Sequence, residues 1–228
     1  MSTVLFVVTG ARTWTLADGT EHPTGYWAEE LLTPYALLTE AGHDVAFATP
    51  GGVAPVADPG SLRDGDAEAI AGIAALRTPL VLAEVDASAY DAVYYPGGHG
   101  PMQDLAVDRD SAAVIADTAA AGRPLVAVCH GLAALLPAVA ATGEPLVSGR
   151  RIAAFTDEEE RIGGLAERAP FLLESSLRKL GADVVVAEPW SEHTIVDGTL
   201  ITGQNPQSSA STARALIAAL AGGEDARA

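Results

Sequence analysis

Runs of consecutive apolar residues alternate along the chain with stretches whose apolar residues recur at helical spacing. The runs are short and rich in β-branched residues, which is typical of strands buried on both faces of a parallel sheet. They predict core strands at residues 4–8, 45–48, 92–95 and 125–128. The spacing between the runs predicts helices at residues 25–38, 66–76 and 110–121. A short strand is expected at residues 80–85 and an irregular loop at 11–24.

The second half of the chain continues this alternation. It predicts helices at residues 131–141, 171–180 and 208–221 and strands at 152–155 and 183–187. A turn at Asp197-Gly198 predicts a hairpin over residues 194–201, and residues 222–228 are expected to fray. Strands that alternate with helices indicate an α/β fold. We expect a doubly wound, mostly parallel sheet with helices on both faces, in a single domain over residues 1–228.

Composition narrows the class of protein. Of the 228 residues, 49% are hydrophobic and 19% are charged, which is enough for a sizeable core. The net charge of −17 argues against nucleic acid and anionic membrane surfaces as partners. A single cysteine excludes an internal disulfide and fits a reducing cytoplasm. We identify no signal peptide and no apolar run near the ~20 residues of a membrane span, and we expect a cytoplasmic protein.

The single cysteine, Cys129, follows the predicted strand 125–128 and precedes His130 and Gly131. A strand that turns sharply into a helix at a reactive side chain is a nucleophile elbow. Helix N–H groups directed at the sulfur would lower the pKa of the thiol and make it partly a thiolate. His130 would then assist proton transfer. The alternative is a buried structural cysteine, since free cysteine packs as a small hydrophobe.

Several loops lie at the carboxyl ends of the predicted strands, where ligands bind in such sheets. They include Gly10, residues 96–100 and residues 155–160. Backbone N–H groups of Gly98 and His130 are candidates for an oxyanion hole, although a flexible turn explains Gly98 as well. His99, from its residue type alone, is better explained as a loop residue than as a catalyst.

Three carboxylates are candidates for work beside the cysteine. Glu30 lies in an apolar helical context, where a buried carboxyl could share a proton with the thiol. Glu160, or alternatively Asp157, could orient His130 as the third member of a triad. For all three, the residues alone favour the simpler alternative of a solvated helix face or helix N-terminus.

Three motifs together resemble the ThiJ/PfpI superfamily, which has the class I glutamine amidotransferase-like, flavodoxin-like fold. They are Val-Cys-His-Gly at 128–131, Tyr-Pro-Gly-Gly-His-Gly at 95–100 and Glu-Glu-Leu-Leu-Thr-Pro-Tyr at 29–35. Phe-Thr-Asp at 155–157 followed by Glu160 adds to the match. The resemblance extends from residue 4 to about residue 220 and is greatest to the branch of glyoxalase III enzymes and heat-inducible holdase chaperones.

The resemblance implies a function and a set of catalytic residues. Cys129 would be the nucleophile, with His130, Glu30 and Glu160 as its catalytic partners; Gly98, His130 and His99 would bind the substrate or its oxyanion. The implied activity converts small 2-oxoaldehydes such as methylglyoxal to lactate without a metal or organic cofactor. A holdase acting on unfolded chains, a deglycase of glycated proteins, an amide hydrolase and a redox sensor remain open, and a homodimer is expected.

Overall fold

The computed structural model describes residues 1–225 and contains a central sheet built from the predicted apolar runs. The strands are β1 (Thr3–Val7), β2 (Thr13–Thr15), β3 (Glu21–Pro23), β4 (Asp44–Thr49), β5 (Leu80–Val81), β6 (Ala92–Tyr95), β7 (Leu125–Val128), β8 (Arg151–Ile152), β9 (Asp183–Val184), β10 (Thr194–Asp197) and β11 (Leu200–Gly203). The helices are α1 (Ala28–Glu40), α2 (Asp66–Gly72), α3 (Gly100–Gln103), α4 (Arg109–Ala120), α5 (Asp157–Ile162), α6 (Leu173–Lys179) and α7 (Ser209–Asp225).

Within the described residues, seven strands form the main sheet in the order β10-β11-β7-β6-β1-β4-β5. Every neighbouring pair is parallel except β10 and β11, which form the predicted antiparallel hairpin. The central strands β1, β6 and β7 are buried almost throughout, as their continuous apolar sequences require. Helix α1 packs on α7 and β4, while α4 packs on β6 and β7. The expected doubly wound, mostly parallel α/β fold is confirmed.

The expected loop at residues 11–24 contains a β-hairpin instead. Strands β2 and β3 pair in antiparallel fashion around the turn at Asp18 and Gly19. Trp14 in β2 is buried, so the hairpin is anchored on the core by one large aromatic side chain. The hairpin places His22 near the carboxyl edge of the main sheet.

The helix predicted at 131–141 is a 3₁₀-helix at Cys129–Leu135. Pro137 explains its early end, because proline has no N–H to donate and its ring clashes with the preceding turn. Pro34, by contrast, lies inside α1, beyond its first turn, and the helix continues through it.

Some predicted elements are shorter than expected or pair elsewhere. Strands β5, β8 and β9 have two residues each, and β8 pairs only with β9 in a separate parallel sheet. Helix α2 ends at Gly72 and is followed by a 3₁₀-helix at Ala74–Arg77. Helix α7 extends to Asp225, which lies within the stretch 222–228 that is expected to fray, and residues 226–228 lie outside the described residues. No helix in the described part is both long and apolar enough to span a membrane.

Candidate active site

The chain reverses direction sharply at Cys129, directly after β7. Cys129 has a φ of 57°, a left-handed backbone conformation that is uncommon for a residue with a side chain. Gly131 permits this turn to pack closely, because an added Cβ would lie 2.4 Å from the carbonyl oxygen of Tyr95. Strain of this kind persists only where the surrounding structure holds it. The predicted elbow is present, and it holds the thiol at the carboxyl edge of the sheet.

The glycine loop after β6 lies against the elbow. Gly98 has a φ of 88°, and a Cβ there would lie 2.5 Å from the carbonyl oxygen of Gly25. A Cβ on Gly97 would lie 2.8 Å from the backbone nitrogen of His130. Both positions therefore require glycine. The backbone N–H groups of Gly98 and His130 are directed at the Cys129 sulfur, where they can stabilise negative charge.

Glu30, near the start of α1, is fully buried beside Cys129. One carboxyl oxygen, Oε2, accepts a hydrogen bond of 2.6 Å from the Gly97 N–H, and the carboxyl also interacts with the thiol. Burial raises the pKa of Glu30 to about 8, against the smaller effects of these hydrogen bonds. Glu30 is therefore protonated near neutral pH, and the expectation of a solvated helix face is wrong.

The expectation of a lowered pKa for the Cys129 thiol is also wrong for the resting protein. Burial raises the pKa of Cys129 well above its usual range, and the neighbouring Glu30 carboxyl raises it further. The N–H groups of His130 and Gly98 oppose this shift without reversing it. Cys129 is therefore a thiol at rest and needs a base to become a nucleophile.

His130 provides that base. Its Nδ1 lies 3.3 Å from the Cys129 sulfur and its Nε2 lies 2.8 Å from Oε2 of Glu160. Burial lowers the pKa of His130, which keeps the imidazole neutral near neutral pH. Burial opposes ionisation of Glu160, but the His130 and His99 imidazoles outweigh it and lower the pKa of that carboxyl. Because ionised Glu160 accepts the Nε2–H of His130, we assign Nδ1 as the free acceptor for the thiol proton.

His99 binds the other oxygen of Glu160. Its Nε2 lies 3.1 Å from Oε1, and its ring centroid is 4.2 Å from that of His130. The indole of Trp14 stacks on the His99 ring, with the two ring centroids 5.1 Å apart. The structure thus places His99 in the wall of the site, with its ring fixed by Glu160 and by the β2–β3 hairpin.

Glu160 and Asp157 were the two candidates for orienting His130, and only Glu160 contacts it. Asp157 instead accepts hydrogen bonds from the backbone and side chain of Ser175 at the start of α6. Glu160 is 3% exposed, so its alternative as a solvated helix terminus is wrong. Asp157 follows the Thr156 N-cap and serves the junction between α5 and α6.

Glu159, a fully buried carboxylate in the same turn of α5, is a residue of the site that was not predicted from the sequence. Its Oε1 accepts hydrogen bonds from the backbone N–H of Trp190 at 2.9 Å and from the Asn205 amide at 2.8 Å. Its Oε2 accepts from the backbone and hydroxyl of Thr156, which completes a capping box. The Thr-x-x-Glu spacing of that box was the available sequence signal.

One group of described residues combines metal-ligand side chains at short range. The ligand atoms of His99, His130 and Glu160 all lie within 4.8 Å of one another. In this arrangement each imidazole Nε2 is paired with one oxygen of Glu160. The atoms that could bind a metal ion are thus paired with one another, and this pairing orients the two rings.

A cavity of about 490 Å³ opens over these groups. Cys129, His130, Glu160, Gly98 and His99 are part of its lining. The lining also includes the rings of His22, Trp27 and Trp190. Trp14 and Tyr26 are buried outside the lining.

Comparisons with known proteins agree with this architecture. Glutathione-independent glyoxalase HSP31 of Saccharomyces cerevisiae is 30% identical to the chain, over 95% of this chain and 97% of the yeast protein. Glyoxalase 3 of Candida albicans is 29% identical over 96% and 98%. The crystal structure of C. albicans glyoxalase III superposes with a TM-score of 0.85, covering 96% of this chain and 97% of that one.

A bacterial relative carries a different name. The protein/nucleic acid deglycase HchA of Pseudomonas aeruginosa is 30% identical over 90% of this chain and 76% of its own length. The model of the DJ-1/PfpI family matches residues 23–219, which include the elbow, the glycine loop and α5. The chain belongs to the DJ-1/PfpI family.

Proposed function

We propose that the protein is a glutathione-independent glyoxalase that converts 2-oxoaldehydes such as methylglyoxal to 2-hydroxy acids with Cys129 as nucleophile. The observation that carries the proposal is the position of the thiol between a neutral base, His130, and a protonated acid, Glu30. Isomerisation of a 2-oxoaldehyde requires one group that accepts a proton and another that donates a proton to the neighbouring atom. The names of the yeast relatives support the same activity.

The first step in this scheme is addition of the thiol to the aldehyde carbon. His130 Nδ1 accepts the thiol proton and passes it to the aldehyde oxygen, which gives a hemithioacetal. While the oxygen carries negative charge, the N–H groups of Gly98 and His130 stabilise it. Glu160 holds the imidazole in the required tautomer and orientation.

The next steps move hydrogen between the two carbons. His130 takes the proton from the former aldehyde carbon and delivers it to the ketone oxygen, which forms an enediol. Glu30 donates its proton to the neighbouring carbon and recovers one from the hydroxyl of the first, which gives a thioester. Water attacks the thioester, and His130 transfers the water proton to the departing sulfur. Lactate leaves and all three residues return to their starting protonation states.

We place the enzyme in the cytoplasm, where its unpaired thiol stays reduced, and we propose a homodimer that acts in the stress response. Formally the reaction is that of a lyase. Its partners are small aldehydes, without nucleic acid or membrane and without an added cofactor.

A second candidate is a deglycase, and the bacterial relative HchA favours it. Cys129 would attack the carbonyl carbon of a glycated side chain, and the same acid and base would serve. The products separate the two activities, since a deglycase releases a free amine. An amide hydrolase would also use Cys129, whereas holdase activity would persist in Cys129→Ala.

The decisive experiment is incubation with methylglyoxal in the absence of glutathione, with the product identified by NMR. We expect lactate from the wild type and none from Cys129→Ser, with the two proteins giving matching circular dichroism spectra. Methylglyoxal that persists beside the folded wild type, or lactate formed at the wild-type rate by Cys129→Ser, would overturn the proposal.

A further inference from the structure

The cavity over Cys129 is much larger than methylglyoxal. Its volume of about 490 Å³ lies within the range of ~300–1,000 Å³ that is usual for drug-sized ligands. Methylglyoxal has only three carbons, so it fills a small part of this space. A ligand that buried its whole surface here would carry a substantial group beyond the reacting carbonyls.

The walls of the cavity are apolar and aromatic. Phe155 and Trp190 form one side, with ring centroids 5.5 Å apart and an edge-to-face arrangement. Phe155 also lies against His130, with its centroid 4.2 Å from that of the imidazole. The aromatic wall therefore begins at the catalytic base and extends outward from it. Trp27 contributes a further aromatic ring to the lining.

The charges around the cavity restrict its occupant further. Among the described residues that line it, none is lysine or arginine, while Asp58 and Glu160 are acidic. Glu160 is paired with two imidazoles, and Asp58 accepts a hydrogen bond from Thr24. Recognition of a phosphate or carboxylate group uses arginine, lysine or a comparable cluster of donors. The substituent carried by the substrate is therefore uncharged.

Trp190 has a left-handed backbone conformation that is uncommon for a residue with a side chain. Its φ is 61°, and apart from Cys129 it is the only non-glycine residue in the described chain with a positive φ. The buried Glu159 carboxylate holds this conformation by accepting the Trp190 N–H, and it also binds the Asn205 amide beneath. Trp190 nevertheless remains 39% exposed. Strained residues that the structure fixes in this way cluster at ligand-binding sites.

We infer that the preferred substrates are 2-oxoaldehydes with a bulky uncharged, and in particular aryl, substituent, and that Trp190 determines this specificity by packing against that substituent. Glu159 is a positioning residue that acts through Trp190. The inference rests on the proposed glyoxalase function and refines its substrate class. In phenylglyoxal the aldehyde carbon would lie at Cys129 and the phenyl ring against Phe155 and Trp190. Phenylglyoxal and water would yield mandelate, with no oxidant or reductant consumed.

The experiment compares kcat/KM for phenylglyoxal, measured as mandelate, with kcat/KM for methylglyoxal, measured as lactate. We expect a preference for phenylglyoxal of roughly tenfold or more, because one apolar group in a fitted pocket contributes about 10–200-fold. Trp190→Ala should reduce this ratio by about tenfold, mainly through KM for phenylglyoxal, and Trp190→Phe should retain most of it. Glu159→Gln should lower the ratio in the same direction.

The control is Val196→Ala, since Val196 is 59% exposed and lies outside the cavity lining. It should leave both kcat/KM values unchanged. Conversion of methylglyoxal with no preference for phenylglyoxal would overturn the inference and leave the proposed function standing. A preference that Trp190→Ala fails to reduce in the folded variant would overturn the role of Trp190. If neither aldehyde is converted, the proposed function fails as well.

Discussion

Two buried carboxyl groups flank the Cys129–His130 pair, and their ionisation is shifted in opposite directions. Glu30 receives one backbone hydrogen bond, from Gly97, and burial raises its pKa to about 8. Glu160 is also buried, yet two imidazoles bind it, one on each oxygen, and lower its pKa. One residue type thus provides an acid on one side of the nucleophile and an anion on the other.

The difference shows how the site divides its proton chemistry. Groups whose environments drive their pKa values apart are candidates for separate acid and base roles. On the Glu30 side the proton is retained and can be donated to substrate. On the Glu160 side the charge is retained, which fixes the tautomer of His130 and keeps Nδ1 available to the thiol. Each carboxyl group can be replaced by the nearly isosteric amide of glutamine, so the two roles can be tested separately.

The largest effect is expected from Glu30→Gln. The amide can accept the Gly97 N–H but cannot exchange protons with substrate, so kcat/KM for methylglyoxal should fall by about 10²–10⁴-fold. Glu29→Gln is a matched control, because the Glu29 side chain is 37% exposed and adjacent in sequence. Alkylation of Cys129 should persist in both variants. Activity of Glu30→Gln within a few-fold of the wild type would rule out the proton-shuttle role.

The same substitution should increase stability. The pKa of Glu30 rises from 4.5 in the unfolded chain to about 8 in the folded protein, so folding takes up a proton between these values. Wild-type stability should therefore fall as pH rises from about 4.5 to 8, by roughly 1.4 kcal/mol per pH unit, or ~3 kcal/mol by pH 7. Urea unfolding across this range should show Glu30→Gln more stable at pH 7, with a flatter pH dependence. Parallel curves for the two proteins would contradict the raised pKa.

Much of the fold follows directly from the order of residues. Strands β1, β4, β6 and β7 are continuous apolar runs, and their parallel arrangement brings Cys129 and Gly98 to one edge. The hairpin β2–β3 was harder to predict, because its short strands depend on burial of Trp14 by distant parts of the chain. The shorter helix after Cys129 was predictable, since Pro137 ends it.

The site was also only partly predictable, because its chemistry depends on contacts between parts of the chain that are distant in sequence. The local sequence around Cys129 indicates an elbow, but the raised pKa of the thiol comes from burial and from Glu30, which is distant in sequence. Glu30 and Glu160 resemble solvated helix residues until the packing of α1 and α5 is known. Only the family resemblance assigns catalytic roles to these two residues from the sequence.

Glu160→Gln tests the anionic side of the site. Its amide has one oxygen for two imidazole N–H groups, so one ring loses its acceptor. A hydrogen bond to a charged group contributes about 1.5–3 kcal/mol, which corresponds to a loss of kcat/KM of roughly 10–100-fold. Asp157→Asn is the matched control, because Asp157 binds Ser175 and not His130. Steady-state kinetics should show little change in that control, and equal losses in the two variants would contradict the assignment of Glu160.

The smallest effect is expected from His99→Phe, which keeps a ring beside Trp14 and His130 but removes the N–H donated to Glu160. Since Glu160 retains its bond to His130, kcat/KM should fall only by about fivefold, as for one hydrogen bond of ~1 kcal/mol. Burial is the main cause of the lowered pKa of His130, and the neighbouring His99 lowers it further. Its removal should therefore shift the acid limb of the pH–rate profile, which reports the neutral His130 base, to higher pH. His43→Phe is the control and should leave the pH–rate profile unchanged, because His43 lies outside the cavity lining and accepts the Ser2 N–H instead. An unchanged acid limb in His99→Phe would show that His99 packs in the wall without tuning His130.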